Sequence, residues 1–170
     1  MKEISRALKR LCDDGVISEY AIGGGIGALA YVEPFLTEDI DVFAPMVTTS
    51  GLVDPTPILN KLRELGYSEM VGDRVVIGSW PVQFLPPASE LEREAVAEAR
   101  EEFIDGAPLR LFSAEHLMAI SLKLGRPKDL ARLEQFIESG RFQDARLNSI
   151  LERHGLASRW DEFVRKVKLR

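Results

Sequence analysis

Asp39 and Asp41, two carboxylates separated by one apolar residue, are the pair in this sequence best suited to chemistry. On a strand, side-chain alternation puts both on one face. Paired carboxylates of that kind make a hard oxygen site for Mg²⁺ or Mn²⁺, and such a cation bridges and neutralises phosphates. Upstream, Gly23-Gly24-Gly25 runs into Ile26, and thirteen residues separate Gly25 from Asp39. Glycines at a helix start let backbone N–H groups approach phosphate oxygens, and the helix dipole favours that negative charge. A phosphate cradle beside a cation cage points to phosphoryl or nucleotidyl transfer. Each half alone also has a plainer reading, as a tight turn and as a solvated strand face.

The elements that must position these residues follow from the patterning. Ile4, Leu8 and Leu11 mark a lead-in helix over 2–12, stopped by Asp13-Asp14-Gly15. Glu19 to Ile22 reads as a short strand entering the glycine turn, and Ile26, Leu29, Ala30 and Val32 as a helix ending before Pro34. Asp39 to Phe43 alternates as a strand, Pro45 to Pro57 reads as loop, and Ile58, Leu59, Leu62 and Leu65 mark a helix closed by Gly66. Val75–Ile77 and Pro81–Leu85 predict a hairpin turning at Gly78-Ser79. Glu90 to Arg100 predicts a helix and Ala107 to Phe112 a last strand or extended crossing. From Ser113, a fair N-cap, the pattern is helical: one helix closed by Gly125, one opened by Pro127, and two more over 142–153 and 156–168. The expected class is α+β, a small mixed sheet with flanking helices over 1–112 and a helical region packed on it over 113–170.

Composition narrows the field. At 170 residues, 45% apolar and 29% charged, the chain can bury a core and is not disordered. One cysteine, Cys12, excludes an intrachain disulfide, and no Cys/His cluster at zinc spacing occurs. A reducing, cytoplasmic setting is the natural reading. The longest weakly polar run, Ala21 to Val32, falls short of the roughly 20 apolar residues a spanning helix needs, so no membrane is expected. Residues 1–112 hold 10 Lys/Arg against 19 Asp/Glu, and residues 113–170 hold 12 against 8, an acidic body with a mildly basic tail.

The order and spacing of the glycine pair and the Asp-Ile-Asp triplet resemble the nucleotidyltransferase superfamily with the polymerase-β-like fold. Its signature is a Gly-Gly or Gly-Ser pair opening a helix, then an acid, an apolar residue and an acid on the next strand. The likeness is nearest to small bacterial stand-alone and toxin-type members, where Thr37-Glu38-Asp39-Ile40-Asp41 matches the run into the metal strand. Leu122-Lys123 followed by Gly125-Arg126-Pro127-Lys128-Asp129-Leu130 is similar to a helix-turn-helix segment that such proteins carry after the sheet. The resemblance implies a transferase using an NTP and Mg²⁺ or Mn²⁺, with Asp39 and Asp41 as metal ligands and Gly23, Gly24 and Gly25 at the phosphates. It further implies that Lys123, Arg126 and Lys128 reach phosphates and that Asp129 holds the basic side chains. The acceptor hydroxyl on RNA, protein or a small molecule stays open, as does a homodimer or antitoxin-like partner.

Two positions depart from that pattern. The superfamily's third acid, on a later strand, matches Gln83, which offers a neutral carbonyl and no charge. The charge is worth roughly 4 kcal/mol near 4 Å at an effective dielectric of about 20. Its loss implies slow chemistry, one held metal instead of two, or a degenerate nucleotide or partner binder. Arg132 stands where close relatives often show a further acid.

Other candidates are weaker. Gly23-x-Gly25-x-x-Ala28 with Asp41 fits a loose dinucleotide fingerprint, but the repeated strand-helix units of that fold are missing. His116 reads as a packed or surface histidine, His154 as a helix-terminal residue, Cys12 as a small buried or half-buried side chain, and Trp80 and Trp160 as core or interface anchors. Arg141, Arg146, Arg153, Arg159, Arg165, Lys166, Lys168 and Arg170 read as a solvated helical surface.

Overall fold

The computed structural model describes residues 1–49 and 52–168. Arg170 and the end of the expected helical region lie outside the described residues, as do residues 50 and 51 of the expected loop. The chain opens with α1 (Lys2–Asp13), then β1 (Ala21–Ile22), α2 (Gly24–Ala28) and β2 (Ile40–Phe43). A ribbon of β3 (Thr48–Thr49) and β4 (Leu52–Val53) precedes α3 (Thr56–Glu64), β5 (Met70–Val71), β6 (Arg74–Ile77) and β7 (Trp80–Leu85). Next come α4 (Glu90–Ala97), β8 (Arg100–Ile104), β9 (Ala107–Leu111), and the helices α5 (Ala114–Leu124), α6 (Pro127–Ser139), α7 (Asp144–Arg153) and α8 (Ala157–Lys168). No helix among the described residues is long and apolar enough to cross a membrane.

Seven strands form one mixed sheet in the order β5-β6-β7-β2-β1-β9-β8. The β2–β7 and β1–β9 pairs are parallel and the others antiparallel. The α+β expectation is thus met by an open sheet with helices on both faces. Ile4, Leu8 and Leu11 of α1 and Ile58 and Leu62 of α3 pack with Ile40, Val42, Val75 and Val82 on one face. Leu91 and Val96 of α4 join Leu117 and Met118 of α5, Leu133 and Phe136 of α6, and Ile150 of α7 in the other cluster. Neighbours in the chain divide between the two: Ala21 belongs to the second cluster and Ile22 to the first, the alternation a strand between two layers requires.

Strand extents differ from the sequence reading where pairing outweighs propensity. Arg100 to Ile104 carries helix formers and mostly exposed side chains, yet it pairs with β9 along its whole length. The turn between them explains this: Asp105 (φ 50°) and Gly106 (φ 70°) both adopt the left-handed conformation of a two-residue hairpin turn. β1 is shorter than expected and α2 ends at Ala28, several residues before Pro34. Antiparallel β1–β2 pairing also removes the dinucleotide reading, which needs parallel strands joined through a crossover helix.

A polar clasp ties α4 to α5 and α7. Glu94 accepts from Arg153, meets His154 Nε2 at 2.8 Å, and meets Nε2 of the fully buried His116 at 3.2 Å. His116 Nδ1 lies 2.9 Å from the hydroxyl of Ser113, the N-cap of α5. Burial pushes the Glu94 carboxyl up, but these hydrogen bonds outweigh it and hold it at about 2. Burial pushes the His116 imidazole below its ordinary value, against the pull of Glu94. Both shifts have one sign for stability. The Glu94 contribution is complete above the ordinary carboxylate range and is lost as pH falls towards about 2. The neutral buried imidazole is likewise lost on acidification. Replacing Glu94→Gln should lower stability by about 1–3 kcal/mol, because buried partners lose a charged acceptor. Melting curves taken from pH 6 down to about pH 3 should show the wild-type advantage shrinking; an advantage independent of pH would refute the clasp.

Candidate active site

β2 sets the place of Asp41: its alternation faces Ile40 and Val42 inward and leaves Asp41 half-buried on the other side. Asp39 precedes the strand. Asp41 is the register partner of Gln83 on β7, so the two side chains share a face. The glycines meet Asp41 from β1. Gly23 N–H donates to the Asp41 carbonyl at 3.0 Å, and a Cβ at Gly23 would lie 2.8 Å from both the Phe43 and Phe112 rings. Gly24 has φ +56°, and a Cβ there would lie 2.1 Å from Asp41 Oδ2. A Cβ at Gly25 would lie 2.5 Å from Thr37 Oγ1. Glycine is therefore required at 24 on two counts, conformation and space. Gly24 and Gly25 open α2, where helix geometry leaves N–H groups without intrahelical acceptors.

Two adjoining cavities, of about 490 Å³ and about 510 Å³, share Gly24, Asp39, Asp41, Arg126, Lys128 and Arg132. The first extends over an apolar wall that includes Phe43, Leu85, Phe112, Leu117 and Ile120. The second continues past Gly25, Phe35 and Thr37 to Gln135. The aspartates thus sit where a polar arm and an apolar chamber join.

Electrostatics distinguishes the carboxylates. Burial pushes the Asp41 carboxyl up and Asp39 adds to the rise, while Arg74, Lys128 and Arg132 oppose it. The Asp41 side chain has no hydrogen-bond or ion-pair partner among the described residues. Asp39 accepts from Arg74 Nε at 3.1 Å. Asp129, only 2% exposed, receives Arg126 through two bonds, Nε at 2.6 Å and Nη2 at 3.2 Å. That fork holds the guanidinium at the cavity rim. Arg132 lies 5.0 Å over the Phe35 ring.

The structure brings together Asp39, Asp41, Gly24, Gly25, Arg126, Lys128 and Asp129. Gly23 serves the sheet and the aromatic packing and lines neither cavity. Lys123 is exposed on α5 and also lines neither; its carbonyl accepts from Arg159 at 3.0 Å. The sequence reading gave no role at the site to Arg74 or Phe35. Arg74 heads a strand whose signal is apolar, and only the order β6-β7-β2 carries it to Asp39.

The donor set fits one divalent cation. Two carboxylates and a neighbouring amide are hard oxygen donors, and Asp41 is an unpaired, partly desolvated anion. A second group, Glu94, Glu98 and His116, brings ligand atoms within 4.8 Å of one another. It is already balanced, with Arg153 on Glu94 and Arg146 on Glu98 at 2.8 Å, so a cation there must displace two arginines.

No protein-family model matches the sequence, and no curated protein matches it. Among solved structures the chain is similar to ANT(2'')-Ia in complex with adenylyl-2''-tobramycin, with TM-score 0.52 and 18% identity over 92% of this chain and 97% of that one. It is also similar to an antigenic nucleotidyltransferase-like protein from Paracoccidioides brasiliensis, with TM-score 0.55 and 17% identity over 92% and 91%. The fold is that of nucleotidyltransferases.

The Gly24 geometry makes a direct prediction. Gly24→Ala should destabilise the chain by about 1–2 kcal/mol from the left-handed backbone alone, and should push the Asp41 carboxylate from its place. Thermal unfolding reads the first effect and a crystal structure of the variant the second; an unmoved carboxylate contradicts the contact.

Proposed function

We propose that this chain is a metal-dependent nucleotidyltransferase that moves a nucleoside monophosphate from an NTP to an acceptor hydroxyl and releases pyrophosphate. The observation that carries the reading is the unpaired Asp41 carboxylate lying on the backbone of Gly24, with Arg126, Lys128 and Arg132 around the same cavities.

In this reading Asp39 and Asp41 hold the cation, and the first amides of α2, at Gly24 and Gly25, face the phosphate tail. When bound, Mg²⁺ or Mn²⁺ supplies charge neutralisation at the phosphates. The chain itself orients the nucleotide: Arg126, fixed by Asp129, and Lys128 compensate negative charge on departing pyrophosphate. Arg132 adds a third cation on the polar arm. The acceptor oxygen bonds to the α-phosphorus as the bond to pyrophosphate breaks, and with no carboxylate at position 83 the acceptor's proton passes to solvent water. Lys123, outside both cavities, has no part in this scheme.

In this reading Gln83, the register partner of Asp41, stands where a third metal-site acid would be. Its neutral amide cannot accept the acceptor's proton, so turnover is slow. The same observation favours a second reading, a nucleotide binder that performs no transfer. Incubation with radiolabelled NTP and whole-cell RNA, protein or small-molecule extract separates the two, since only the first transfers label.

Asp39→Asn combined with Asp41→Asn should abolish metal-dependent NTP binding while the chain still folds. Calorimetry in Mg²⁺ checks this, and unchanged NTP affinity would rule out the assigned site. Gln83→Asp or Gln83→Glu should raise transfer activity by about tenfold or more, the scale of a restored general base; no gain in label transfer means Gln83 does not hold that position.

A further inference from the structure

Arg74 makes an ion pair that the proposed function does not use. Its Nε and Nη2 both lie 3.1 Å from the same Asp39 oxygen, Oδ2. Its Nη1 lies 3.4 Å from Asp73 Oδ1, and the other Asp73 oxygen accepts from Gln83 Nε2 at 2.6 Å. The chain Asp39–Arg74–Asp73–Gln83 therefore reaches across β2, β6 and β7 and braces the guanidinium from two sides. Arg74 and Asp39 are each about one-third exposed, so the pair is open to solvent cations.

Charge arithmetic then limits what the aspartates can hold. Asp39, Asp41 and Asp73 with the one guanidinium of Arg74 sum to two negative charges, which a single divalent cation already neutralises. Two-cation phosphoryl chemistry places its metals about 3.5–4 Å apart and needs anionic oxygens for both. Here Asp39 Oδ2 already accepts from Arg74, and the register partner of Asp41 is the neutral Gln83. Asp39 Oδ1 and the unpaired Asp41 carboxylate remain.

Resting on the metal-site reading above, we propose that Arg74 is a resident counter-ion of Asp39: it stands in the place of a second divalent cation and makes this a one-cation site. It is a positioning residue that acts through Asp39. A permanent cation in that seat supplies fixed charge without depending on metal concentration, and it weakens the binding of the one metal by electrostatic repulsion.

The test is a titration of the full-length chain with Mn²⁺ alone, following free Mn²⁺ by electron paramagnetic resonance. Wild type should bind one Mn²⁺ per chain. Arg74→Ala should bind it about tenfold tighter, the effect of removing a unit charge a few ångströms from a dication in a water-rich setting. Arg74→Lys, which keeps the charge and loses the fork, should stay close to wild type. Arg74→Ala with Gln83→Asp should take up a second Mn²⁺. Unchanged Mn²⁺ affinity in Arg74→Ala, or two ions in wild type, overturns the counter-ion role. A purely structural arginine would lower the melting temperature of the Ala and Lys variants without moving Mn²⁺ affinity, which also overturns it. Arg74→Gln serves as a second neutral variant if Arg74→Ala does not fold. Absence of Mn²⁺ binding in every protein, wild type included, removes the metal site itself and this inference with it.

Discussion

The contact between the Gly24 backbone and the Asp41 carboxylate constrains everything around it. A side-chain oxygen can lie this close to a main chain only where no Cβ intervenes, and the positive φ at Gly24 is what turns the chain from β1 into α2 at that point. Antiparallel pairing of β1 and β2 presses the two together, through Gly23 N–H on the Asp41 carbonyl and the Phe43 and Phe112 rings packed against Gly23. These rings, 4.9 Å apart, form the floor of the apolar chamber. One stretch of close packing thus sets the position of the carboxylate, the start of the helix and the shape of the cavity.

Around that contact the site is nearly balanced in charge. Asp39 and Asp129 each have an arginine, while Asp41 is left alone and partly desolvated. A carboxylate without a hydrogen-bond partner in such a place is destabilising, and the cations around the cavities offset only part of that. Arg126, Lys128 and Arg132 put positive charge around the same cavities. The cost of keeping these like charges together falls on the fold, which supports them through the buried Asp129 and the Phe35 ring.

The helical layer bears on the site through packing. α5 closes the apolar chamber with Leu117 and Ile120, and α6 starts at the cavity rim, with Arg126 as its N-cap residue. The Glu94 clasp holds α4, α5 and α7 in register with one another. Its three carboxylate partners are two histidines and an arginine, so the layer is fastened by charge as well as by apolar area. The resemblance block around Gly125 and Pro127 reaches the site because Gly125, at φ +66°, ends α5 and lets α6 begin two residues later.

Local chemistry determined much of this by itself. Glycines before Ile26, alternating acids at 39 and 41, the Gly78 turn, Ser113 as a cap and Pro127 as a helix start are all dictated by neighbours within a few residues, so one-dimensional pattern suffices to read them. The α+β class and the aspartate pair were legible for that reason. What only the tertiary structure decided depends on groups far apart in the chain. β8 is a strand because β9 offers it a partner, against the helix preference of its own residues. Arg74 meets Asp39 across a sequence separation of 35, by way of sheet order. Arg126 and Lys128 reach the cavities and Lys123 does not, although all three lie within six residues: the cap at Gly125 turns the chain between them, and the direction of a side chain past a helix end follows from packing. Spacing along the sequence determines which face of one element a residue occupies; which other element that face meets is set by long-range pairing and burial.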